Sequence, residues 1–156
     1  MIVVDTNVIS EVMRPQPSPP VLNWLNAQDS SQLFITTVTL AEIGYGLRVL
    51  PEGQRRWQLQ SRFEQFIAQA FEERVLDFTA SAARAYAEIQ GHRKEFGRPM
   101  SLPDAQIAGI AHAHGFAVTT RNIKDFDDCG LELINPFEPR QSIKTRDDGE
   151  TVEMEA

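Results

Sequence analysis

The sequence predicts an α/β domain with a parallel sheet covered by helices on both faces. Short apolar runs recur along the chain at Ile2-Val3-Val4, Leu33-Phe34-Ile35, Val75-Leu76, Phe116-Ala117-Val118-Thr119 and Leu131-Glu132-Leu133-Ile134. The longer stretches between them carry apolar side chains at helical spacing. Strands alternating with helices in this way form buried parallel sheets. The 156 residues suit one domain with a sizeable core, and no internal repeat or low-complexity tract interrupts them.

The first run reads as a strand, with Asp5 capping a helix over residues 5–12. Pro15, Pro17, Pro19 and Pro20 break the pattern, and the Pro19-Pro20 pair suits the first turn of a second helix through Val21, Leu22, Trp24 and Leu25. After the second strand a helix runs from Thr36 to Leu50, opened by Thr37 or Thr39 and closed by Pro51-Glu52-Gly53. Trp57, Leu59, Phe63, Phe66, Ile67 and Ala70 form a helical stripe over residues 54–72. Past Val75-Leu76, a helix from Thr79 to Glu95 stops at Gly97, and another from Ser101 to His114 stops at Gly115. Residues 1–137 read as the domain, and the polar segment 138–156 as a flexible charged tail.

The net charge of −7 argues against a broad basic surface for nucleic acid, although the tail supplies part of it with six acids against three bases. Local basic groups remain at Arg55-Arg56, His92-Arg93-Lys94 and Arg98; they read as solvated helix faces or as contacts to backbone phosphates. The single cysteine, Cys129, excludes an internal disulfide and a multi-cysteine zinc site, as expected in a reducing cytoplasm. No apolar stretch approaches the roughly 18 residues of a membrane helix, and the start is too short and too soon interrupted by Asp5 for a signal peptide.

Four acidic residues stand at element ends: Asp5, Glu42, Asp104 and Asp125. Asp5 follows a strand directly, where open α/β sheets bind ligands; it is also a good helix cap. Glu42 sits on a mixed helix face and is followed by Gly44 and Gly46, whose cost to the helix suggests a close neighbour. Asp104 falls three residues after Ser101, at capping-box spacing, where the helix dipole favours a carboxylate. Thr120 and Asn122 lie at the mouth of the fourth strand, with Asp125 one turn beyond. If these carboxylates converge, their repulsion and lost hydration call for a cation, and hard oxygen donors select Mg²⁺ or Mn²⁺, which commonly serve phosphate chemistry. His92, His112 and His114 read as structural or solvated.

The phrases Val3-Val4-Asp5-Thr6-Asn7-Val8-Ile9-Ser10, Thr39-Leu40-Ala41-Glu42-Ile43-Gly44-Tyr45-Gly46, Pro103-Asp104-Ala105-Gln106-Ile107-Ala108 and Thr119-Thr120-Arg121-Asn122-Ile123-Lys124-Asp125-Phe126 closely resemble PIN-domain nucleases. The resemblance is closest to the VapC toxins of bacterial toxin–antitoxin modules, in the FitB-like branch, and runs in register from residue 2 to about 137. It implies a parallel five-stranded sheet in the order 3-2-1-4-5, and a metal-dependent endoribonuclease that forms a homodimer and is held silent by a cognate antitoxin. By the same resemblance, Asp5, Glu42 and Asp104 match the three core acidic positions, with Asp5 and Asp104 holding the metal directly. Thr6, Asn7 and Thr120 match polar supports. The fourth acidic position departs: this chain has Asn122 where some relatives have Asp, with Asp125 three residues on, and either fills the place. The alternative reading is a catalytically silent PIN-like binding or regulatory protein.

Overall fold

The computed structural model describes residues 1–138; the tail expected at 138–156 lies outside the described residues except for Glu138. Five strands, β1 (Ile2–Val4), β2 (Leu33–Thr36), β3 (Val75–Leu76), β4 (Ala117–Thr119) and β5 (Leu133–Ile134), form one parallel sheet in the order β3-β2-β1-β4-β5. The helices between them are α1 (Thr6–Val12), α2 (Pro19–Asn26), α3 (Thr37–Arg48), α4 (Gln54–Ala70), α5 (Ala80–Glu95), α6 (Leu102–His114) and the single turn α7 (Ile123–Phe126). The strand order is the expected one. Among the described residues no helix is long and apolar enough to cross a membrane.

Alternation along β1 divides the core. Val3 faces a layer with Ile89, Ala105, Ile107, Ala108 and Val118, beneath α5 and α6. Val4 faces the opposite layer, with Val8, Ile9, Ile35, Phe63 and Ile67, beneath α1 to α4. Successive side chains of a strand point to opposite faces, so a buried central strand must be apolar at every position. The same parity sends Asp5, the next residue, to the Val3 side, where α6 begins.

Local chemistry sets the element ends that matter for function. The Asp5 N–H extends the ladder to Thr119 O at 3.0 Å, and its side chain caps α1 by accepting from Thr6 N. The cap of α3 is Thr36, which ends β2 and accepts from Thr39 N at 3.1 Å, in place of the expected Thr37 or Thr39. Ser101 caps α6 by accepting from Asp104 N, and Gly115 closes that helix at φ 68°.

The expectation about glycine is corrected. Gly44 and Gly46 are exposed, and a Cβ at either would meet nothing within 4 Å, so neither marks a close approach. That role falls to Gly109 in α6. A Cβ there would lie 2.6 Å from Ala82 O and 3.1 Å from Tyr86 N, both backbone atoms of α5. Gly109→Ala therefore pushes α5 away from α6. The expected loss is about 2 kcal/mol or more, after the modest gain in helix propensity; urea unfolding measures it, with Gly46→Ala expected to be neutral or stabilising.

Candidate active site

Asp5 lies at the carboxyl edge of the sheet and is only 3% exposed. Its Oδ1 accepts from Thr6 N at 2.7 Å and its Oδ2 from the Thr120 hydroxyl at 2.8 Å. The Thr120 oxygen also accepts from Asn7 Nδ2 at 3.2 Å and Asn122 N at 3.0 Å. That hydroxyl thus uses its one proton and both lone pairs. Asn7 Oδ1 accepts from Arg121 N at 3.2 Å, so Asn7 bridges α1 to the segment after β4. Asp5 is fixed as an acceptor on both oxygens, with lone pairs to spare.

Glu42 reaches the site from α3. Its Oε1 accepts from the Thr6 hydroxyl at 2.7 Å. Because Thr6 has only that proton to give, the 3.0 Å contact between Thr6 and Thr39 hydroxyls must be donated by Thr39. The Thr36 hydroxyl donates to Thr39 at 3.3 Å. A relay Thr36–Thr39–Thr6–Glu42 thus points every hydroxyl proton toward the carboxylate, and such chains reinforce one another. Thr36 and Thr39 join the site unannounced: the sequence shows only two threonines three residues apart at a strand end, and the fold buries both.

Asp104 sits in the first turn of α6, half-buried. Asp125 is exposed on α7, and Asn122 precedes that turn without a side-chain cap bond. Burial raises the Asp5 carboxyl to about 6; the Thr120 hydroxyl and the Thr6 N–H oppose this, and the charges of Asp104 and Glu42 add to it. Asp104 is also raised, chiefly by burial, with Ser101 opposing, the Asp125 charge adding and the Arg93 charge opposing. The carboxylates therefore stand within electrical reach of one another, and Asp125, rather than neutral Asn122, carries charge to Asp104.

The basic candidates divide. Arg56 is buried and donates to Arg48 O and Leu50 O, which closes the end of α3. Arg93 is buried and donates to Arg98 O and Asp127 O. Neither is a solvated helix face; Arg56 also pairs with Glu52 at 3.4 Å. Arg98 is exposed and pairs with Asp127 and Asp128 at 3.8 and 3.4 Å. Arg55 and Lys94 are exposed. Glu11, which the sequence reading passed over, is buried under the α1–α2 connection. The Ser18 N–H, 2.9 Å from Oε1, holds its carboxyl below the usual range, helped by Arg14. His92, His112 and His114 are exposed, and burial pushes the Cys129 thiol up to about 11, which leaves it unreactive.

The donor set consists of hard oxygens, with no sulfur or imidazole among them. Among the described residues no three His, Cys, Asp or Glu side chains close into a direct ligand shell. This arrangement fits a small divalent cation that keeps several of its own waters and takes one or two carboxylates directly. It would not suit a zinc ion, which wants a tight tetrahedron.

The sequence profile of the PIN domain matches residues 2–130. The chain belongs to the PIN-domain family. It is 42% identical over 139 residues to VapC ribonuclease Y4jK of Sinorhizobium fredii, covering 89% of this chain and 99% of that one. It is 35% identical over 137 residues to Toxin FitB of Neisseria gonorrhoeae, covering 88% and 99%. Among solved structures, FitAB bound to an IR36 DNA fragment superposes with a TM-score of 0.85 at 34% identity, covering 91% of this chain and 99% of the other.

The buried carboxylate of this PIN domain has a consequence for stability. With the Asp5 value raised to about 6 from 3.8, the folded state holds a proton that the unfolded chain has released. Stability therefore falls as pH rises from about 4 to about 6 and levels off above, a cost of about 2–3 kcal/mol. Urea unfolding in chelator at pH 4.5 and 7.5 should show this decline in wild type, and a clearly smaller one in Asp5→Asn.

Proposed function

We propose that this chain is a Mg²⁺- or Mn²⁺-dependent endoribonuclease that acts as the toxin of a toxin–antitoxin pair. The observation that carries this reading is the buried Asp5 carboxylate, fixed on both oxygens and placed within electrical reach of Asp104 and Glu42. Two relatives named as a VapC ribonuclease and a toxin, both at 35% identity or more over most of the chain, support it. So does a tRNA(fMet)-specific endonuclease VapC of Shigella flexneri, at 28% identity.

Asp5 and Asp104 would hold the cation, with Asn122 or Asp125 completing the site at its rim. When bound, the cation neutralises phosphate oxygens and lowers the pKa of water enough for attack on phosphorus. Glu42, with Oε1 anchored by Thr6, has Oε2 available to orient that water and take its proton. The α6 N-terminus stabilises the charge on Asp104. Thr120 and Asn7 fix the strand ends, so the carboxylates meet substrate already oriented. The exposed Arg55 and Lys94 are the remaining candidates for contacts to the RNA backbone.

A cognate antitoxin would silence the enzyme by presenting a basic side chain, such as arginine, to the acidic pocket. Structures of similar chains are described as FitAB and VapBC assemblies. Tyr45 on α3, Val49 at the cap one turn later, and Trp57 on α4 are exposed and offer apolar area to a protein partner or a second copy.

Purified protein should cleave total RNA only with Mg²⁺ or Mn²⁺, and Asp5→Asn and Asp104→Asn should lose that cleavage. Cutting that survives chelator, or that the two variants retain, contradicts the assignment. A silent binding protein would instead show no Mn²⁺ uptake dependent on Asp5 in calorimetry. Thr6→Val, which frees Glu42 without removing it, should lower the cleavage rate by about 10–100-fold; initial rates on a defined RNA test this.

A further inference from the structure

We propose that Arg93 is a positioning residue that sets the separation of Asp104 and Asp125. The proposal deepens the nuclease reading and rests on it. Arg93 lies near the end of α5 and is 5% exposed. Its Nε donates to Arg98 O at 2.9 Å, in the loop that leads into α6 and Asp104. One terminal nitrogen donates to Asp127 O, just past α7 and two residues beyond Asp125. One planar guanidinium thereby joins the two segments that deliver these acids.

Gln90, one turn earlier on α5, grips the same loop. Its amide nitrogen donates to Met100 O and its amide oxygen accepts from Met100 N, both at 2.9 Å. Gly109 lets α5 lie against α6 at backbone contact. The base of α6 is therefore referenced to α5 from two directions, and α7 is held to the same region by Arg93, by Phe126 packed in one core layer with Ile89 and Ala105, and by Arg98, which donates to Lys124 O at 3.3 Å. The exposed pairs of Arg98 with Asp127 and Asp128, and its exposed 3.3 Å bond to Lys124 O, contribute less than the buried guanidinium, because solvent competes for them.

The hydrogen bonds of Arg93 go to carbonyls, not to a carboxylate, although a buried cation is costly without a paired anion. Lysine would keep the charge, but its ammonium cannot reproduce a planar fork spanning two carbonyls.

Calorimetric titration with Mn²⁺ tests this in wild type, Arg93→Lys, Gln90→Ala, Arg98→Ala and Asp104→Asn, with urea unfolding of each. Arg93→Lys should stay folded and bind Mn²⁺ about tenfold or more weakly, as loss of an outer support does at metal sites. Gln90→Ala should weaken binding in the same sense, and Arg98→Ala, which removes only exposed bonds, should weaken it less than Arg93→Lys. Cleavage by Arg93→Lys should recover at saturating Mn²⁺ with KM for RNA unchanged. Wild-type Mn²⁺ affinity in folded Arg93→Lys, with only a lower unfolding midpoint, overturns the proposal and leaves the nuclease reading intact. If Arg93→Lys does not fold, wild-type affinity in Gln90→Ala overturns it instead. Absence of Asp104-dependent Mn²⁺ binding in wild type removes the nuclease reading and this inference together.

Discussion

Carboxylates repel one another and resist burial, yet this fold drives several of them to one edge of its sheet. Everything around Asp5 follows from that constraint. The side chain is buried, receives a backbone N–H and a hydroxyl, and still keeps its proton to a pH well above the usual carboxylate range. Two hydrogen bonds do not offset the desolvation and the neighbouring charges. The proposed divalent cation would compensate that charge.

Parallel topology makes the gathering possible. All five strands run the same way, so their carboxyl ends share one edge, and β1 and β4 are adjacent there. Asp5 and Thr120 are thus neighbours despite 115 residues of separation. Helices that start at this edge, α3 and α6, bring Glu42 and Asp104 within one or two turns of their N-termini. Threonine is the recurring support. Its hydroxyl gives one directed proton, its β-branch suits a strand end, and it adds no charge to a site already overcharged.

Much of this was legible in the sequence, for identifiable reasons. Strand positions were clear because buried parallel strands are short apolar runs between helix caps, although β4 and β5 begin one and two residues later than expected. The relay from Thr36 to Glu42 was not legible, since the Thr6–Glu42 bond spans 36 residues and threonine is common. Arg56 and Arg93 looked like solvated helix faces because charge in a basic run says nothing about burial; in the fold both are buried and donate to backbone carbonyls. The glycines misled in a similar way. Gly44, Gly46 and Gly109 weaken a helix alike, and only the fold reveals that backbone stands opposite Gly109 and open space opposite the others. Local pattern reports which element a residue joins, whereas the partner across the fold decides what the residue does.

The central claim is that Asp5 is a buried, proton-retaining carboxylate whose natural counter-charge is a divalent cation. Carbon-13 NMR titration of the Asp5 side-chain carboxyl, with and without Mg²⁺, tests it most directly. Without the cation the midpoint should fall at about 6, and with saturating Mg²⁺ it should drop to the ordinary aspartate value of about 4 or below. A midpoint of about 4 under both conditions would mean that Asp5 is an unstressed helix cap, and the account of the site would fail.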